Sequence, residues 1–121
     1  MKFIIDLIED IREQTSNQPQ FKLYAMLLKE DPQDSEKFIY GGEAPINDFF
    51  LNNEEKEMRF SLSPHGDAME LGDLIDHLVI YDMDVMMHPV KIAVNHLHPA
   101  VDVIGFGKND EEKKYILFIK I

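Results

Sequence analysis

Apolar residues recur at helical spacing twice in this chain, and at strand spacing several times in between. Phe3, Ile4, Leu7, Ile8 and Ile11 form one stripe, which predicts a helix over residues 3–14. Leu71, Leu74, Ile75 and Leu78 form a second and predict a helix over residues 67–79, with Asp73, Asp76 and His77 on its polar side. Ile80 falls on that polar side, so this helix is expected to end there or to meet another surface. Residues 56–63 alternate: Met58, Phe60 and Leu62 stand against Arg59, Ser61 and Ser63, the pattern of a strand with one buried face.

Residues 21–29 are apolar with little alternation, which predicts a strand covered on both faces. The stretch EDPQDSE has turn composition, and residues 37–40 can return as a second strand. Residues 45–53 (PINDFFLNN) read as a loop with one helical turn, while residues 83–88 carry no clear period. Short strands are expected over 90–97 and 101–106, a turn over 105–112, and a strongly apolar strand over 115–121. This last strand is either central in a sheet or an intermolecular edge, which also allows a homodimer. No internal repeat, low-complexity tract or interdomain linker stands out. The expectation is a single α+β domain over residues 1–121: a mainly antiparallel sheet of about five or six strands with two helices packed on it.

Composition narrows the function. The net charge is −11 and unevenly spread: residues 1–64 carry 13 acids and 7 bases, residues 65–98 carry 6 and 1, and the rest carry 4 and 4. Such a surface repels phosphate backbones and argues against direct nucleic-acid binding. It favours a basic protein partner. No apolar run reaches the ~18 residues of a membrane span, and MKFIIDLIEDIRE is interrupted too early by acids for a signal peptide. With no cysteine there is neither a disulfide framework nor thiol chemistry, and a cytoplasmic setting is expected.

The chemistry-bearing residues are concentrated. All five histidines lie between His65 and His98, among six carboxylates. In a strand His96 and His98 project from one face and could share a metal ion such as zinc, with His88, Asp102 or His65 completing the set. Val90, Ile92 and Val94 share that face, so the pair equally reads as the rim of a core. Asp67 fits a helix cap after Ser63-Pro64-His65-Gly66. Asp82 and Asp84 read as helix-terminal or loop carboxylates, and Gly105-Phe106-Gly107-Lys108 lacks phosphate-loop spacing. Met69, Met83, Met86 and Met87 cluster around the second helix, where thioethers suit either an adaptable binding surface or, as the simpler expectation, an irregular core.

Two functions follow. In the first the chain is a non-catalytic acidic protein-binding module (an inhibitor, an immunity-type protein or an adaptor), with no cofactor. Asp6, Glu9, Asp10 and Glu13 on the first helix would then meet a basic partner. In the second it is a small metal-dependent hydrolase or metal-binding domain that uses His96, His98, His88, Asp102 and His65. Since no catalytic pattern outlasts its structural explanation, the first reading is preferred and no catalytic residue is assigned.

Overall fold

The computed structural model describes residues 1–62, 66–94 and 99–120, and for Glu30 and residues 35–40 the backbone alone. In chain order the elements are α1 (Ile4–Thr15), β1 (Lys22–Asp31), β2 (Asp34–Asn52), β3 (Glu57–Leu62), α2 (Leu71–Leu78), α3 (Met83–Met86), β4 (Val90–Ala93), β5 (Val101–Asn109) and β6 (Lys114–Lys120). The strands close into a barrel in sequence order. Pairs are antiparallel except at two seams, where β3 meets β4 and β6 returns to β1 in parallel.

This closure corrects the expected α+β sheet with two helices packed on it. The last strand is no edge, because β1 and β5 bond to its two sides. A barrel has one inside, so its strands alternate where a sheet sandwiched between layers would not. Leu23 and Ala25 of β1 are buried while Tyr24 and Met26 are only half so, and the expectation of a strand covered on both faces fails. The expected alternation of β3 holds, with Met58 and Phe60 fully buried. Val90, Ile92, Val103, Tyr115, Leu117 and Ile119 complete the interior together with Ile4, Leu7 and Ile11 of α1 and Leu71, Leu74 and Leu78 of α2. Each such side chain contributes about 1.5–3 kcal/mol on burial.

Other boundaries also shift. Residues 45–52 are strand rather than loop, despite their turn-like composition; a bulge between Ile46 and Asp48 absorbs the irregularity. The expected turn at 105–112 begins only at Asp110, after β5. Asp67 does not cap α2, whose cap position is Glu70. Asp82 does cap α3, accepting the Val85 amide hydrogen at 3.1 Å.

The barrel is built twice from the same plan, a short helix followed by three strands. The Ile4 amide donates to the His88 carbonyl (3.0 Å), and 67 residues later the Leu71 amide donates to the Phe21 carbonyl (2.7 Å). The Val90 amide donates to the Lys2 carbonyl (2.8 Å), and the Leu23 amide to the Met69 carbonyl (3.0 Å). These are the same two bonds with the halves exchanged, so each half ties the other's helix to its own first strand. The buried stripes superpose at the same offset, Ile4, Leu7 and Ile11 on Leu71, Leu74 and Leu78.

Ala25 pairs with Ala44 but Ile92 with Val101, so the first hairpin is ten residues longer and the offset falls to 57 beyond it. At that offset the bulge at Ile46/Asp48 matches one at Val103/Gly105, and Phe49 opposite Phe60 matches Phe106 opposite Leu117. The chain therefore does contain an internal repeat, with the stretches NNEEK (52–56) and NDEEK (109–113) as its plainest trace.

Candidate docking surface

The two related helices lie side by side and leave a groove of about 200 Å³ between them. Ile8 and Ile11 of α1 line it opposite their counterparts Ile75 and Leu78 of α2, with Arg12 and Val79 at equivalent places and Asn17 at one end. Helical geometry puts Glu9 and Asp76, again counterparts, one step round from this lining, and both are exposed. The groove is thus mainly apolar, with Arg12 and Asn17 in its wall and the exposed carboxylates of Glu9 and Asp76 outside it.

The four acids of the first helix divide. Asp6 accepts the Phe3 amide hydrogen at 2.9 Å and so satisfies one of the open donors of the helix start. Asp10 accepts from the Tyr115 hydroxyl and from Gln14 Nε2, each at 2.6 Å, which ties α1 to the last strand. Burial, reinforced by the Asp10 hydrogen bond, raises the Tyr115 phenol far above its ordinary ionisation range. Glu9 and Glu13 are exposed. Of the four acids on α1, Glu9 and Glu13 are thus the exposed pair, and Asp73 and Asp76 are exposed on α2.

Beyond the groove the chain leaves α2 on an apolar run turned outward. Val79 is 68% exposed, Ile80 73%, Met83 63% and Met87 53%, while Tyr81 and Val85 pack against the core and hold the segment down. Asp73, Asp76, Asp82 and Asp84 are exposed around it. Sequence reasoning missed these residues. Ile80 on the polar side of its helix was the available signal, and the methionine cluster was another, but core filling does not describe Met83 or Met87.

Of the residues of the metal reading, His88 and Asp102 lie among the described residues. His65, His96 and His98 lie outside the described residues. His88 is half-buried where α3 joins β4, and its carbonyl serves the helix bond given above. Asp102 pairs in register with Lys91 and lies 3.8 Å from its ammonium, with Oδ1 buried and without a hydrogen bond. Lys91 also bridges to Glu57 at 3.3 Å, and Glu57 accepts from Arg59 Nε at 2.8 Å. His77 stands edge-on to Phe49 with ring centroids 5.3 Å apart, a packing role. Among the described residues no three histidines or carboxylates are grouped as a metal would need.

An apolar recess of about 220 Å³ opens where Leu27, Leu62, Val94 and Ile119 meet. Among the described residues no helix is long and apolar enough to cross a membrane. No protein-family model, curated protein or solved structure matches the chain.

Proposed function

We propose that this chain is a non-catalytic binding module that engages a basic protein partner through the face formed by α1 and α2. The observation that carries this reading is the trough between the two helices, flanked by Glu9 and Asp76 at equivalent positions and extended by Glu13 and Asp73. A face of that kind attracts cationic surfaces and speeds their association, an effect that weakens as salt rises. Asp6 and Asp10 are occupied by bonds within the fold, so the contact falls to the exposed acids.

The test is co-purification of partners from the native cell at about 50 mM and 500 mM salt, where the Debye length shortens severalfold. The bait is the wild-type protein or a Glu9→Lys/Glu13→Lys/Asp76→Lys variant. Enrichment of a basic protein by the wild type at low salt alone, lost in the variant, is the expected result. Equal recovery by both proteins, or recovery that salt does not affect, overturns the reading.

A further inference from the structure

We infer that Val79, Ile80, Met83 and Met87 form the anchor of that contact, and that they take the apolar face of a basic amphipathic helix from the partner. This rests on the binding-module reading and names the partner's chemistry and its seat. The duplicated fold supplies an internal control. The segment 79–87 has its counterpart in residues 12–20; the first starts at the C-cap of α2 and the second inside α1, and both lead to the same hydrogen bond, at His88 and at Phe21. Their internal paths differ, since α1 runs longer while the second half inserts α3.

Val79, Ile80, Met83 and Met87 correspond to Arg12, Glu13, Ser16 and Gln20, and all eight residues are exposed. Gln14 and Tyr81, also counterparts, are both half-buried. At equal distance from that shared bond one half thus carries polar side chains and the other four large apolar ones, along backbones that take different paths. All four stand more than half exposed, and large exposed apolar groups gathered in one segment mark a contact surface.

The occupant follows from charge. Asp82 and Asp84 are the chain neighbours of Met83, Asp73 and Asp76 lie on the helix just before Val79, and all four are exposed, which favours lysine or arginine around the partner's apolar residues. The trough between α1 and α2 continues from Val79, so patch and groove together suit an amphipathic helix laid in a groove. Thioethers at Met83 and Met87 can adjust to its side chains.

The experiment uses three synthetic peptides of about 15 residues, the length at which a helix becomes marginally stable. One has a leucine face and lysines elsewhere, one replaces the lysines with glutamate, and one replaces the leucines with serine. Binding is measured by fluorescence anisotropy against the full chain and against a Val79→Arg/Ile80→Glu/Met83→Ser/Met87→Gln variant, which installs the polar counterparts. Sedimentation is run on both proteins. The Lys–Leu peptide is expected to bind the wild type at least tenfold more tightly than either other peptide, and to lose at least tenfold in the variant.

Equal binding of the Leu–Glu peptide, or no binding of the Lys–Leu peptide, overturns the inference. A wild-type dimer that the variant breaks, with no peptide bound, also overturns it and gives the patch to a second copy of the chain. Peptide binding that the variant keeps in full removes the anchor but leaves the acidic face, which the Glu9/Glu13/Asp76 variant judges separately.

Discussion

Asn52 and Asn109 hold the same place in two hairpins 57 residues apart, and each accepts the amide hydrogen of the residue three further on, Glu55 at 3.0 Å and Glu112 at 3.1 Å. Both turns then close through a lysine at positive φ, Lys56 at 52° and Lys113 at 54°. A left-handed conformation costs a non-glycine residue about 1–2 kcal/mol, and glycine gives back about 0.5–1 through its extra freedom when unfolded. Lys56→Gly is therefore expected to raise stability by up to about 1 kcal/mol. Lys113→Gly should gain less, because the Lys113 ammonium also lies 5.1 Å from the Phe21 ring centroid. Denaturant midpoints check both, and a loss of stability in Lys56→Gly would contradict the strain assigned to the turn.

Tyr115 offers a test in pH. Burial first, and the bond to Asp10 second, raise its folded ionisation above that of the unfolded chain. Its contribution is fully present below the unfolded value of about 10 and is lost as pH rises beyond it, at up to about 1.4 kcal/mol per pH unit. Unfolding free energies between about pH 8 and 11.5 should fall more steeply for the wild type than for Tyr115→Phe. At neutral pH that substitution should cost about 1–2 kcal/mol, since Asp10 keeps Gln14. Parallel pH curves would mean that Tyr115 ionises freely in the folded protein.

Gly72 lies in the first turn of α2, where alanine normally gains up to about 1 kcal/mol. A Cβ there would come within 2.7 Å of Pro19 Cβ, and a proline ring has no rotamer with which to retreat. Overpacking of this kind costs about 1–3 kcal/mol, so Gly72→Ala should destabilise. In a Pro19→Gly background the same change should be neutral or favourable. A double-mutant cycle reads the coupling, and a zero value would remove the contact from the argument.

Glu57 is only 4% exposed and bridges Arg59 and Lys91 across the β3–β4 seam. Glu57→Gln should cost about 1–3 kcal/mol, tempered because both cations are partly in water. Lys91→Met should cost less, since Glu57 retains Arg59. Chemical denaturation of both variants checks the order, and a reversed order would place the energy at Asp102 instead.

The helices were legible because their information is local. Ile4, Leu7 and Ile11 recur at helical spacing, as do Leu71, Leu74 and Leu78, and all six are buried. Barrel closure was not legible, since it depends on parallel pairing of Leu23 with Tyr115 and of Met58 with Val90, which leaves no mark at short range. The repeat was obscured by the longer first hairpin, which changes its offset midway. Of the candidate site, the exposed Glu9 and Glu13 could be read from charge periodicity. The patch was signalled only by Ile80 on the polar side of its helix and by the methionine cluster, and nothing local in the sequence separates the exposed Met83 and Met87 from core methionines such as Met58.

The most direct measurement is the thermal and chemical stability of the Val79→Arg/Ile80→Glu/Met83→Ser/Met87→Gln variant beside the wild type. If these four residues serve a contact and not the fold, stability should stay within about 1 kcal/mol of the wild type, as for ordinary surface changes. A loss of about 3 kcal/mol or more, the scale of core truncation, would make them part of the core and contradict their role as a docking surface.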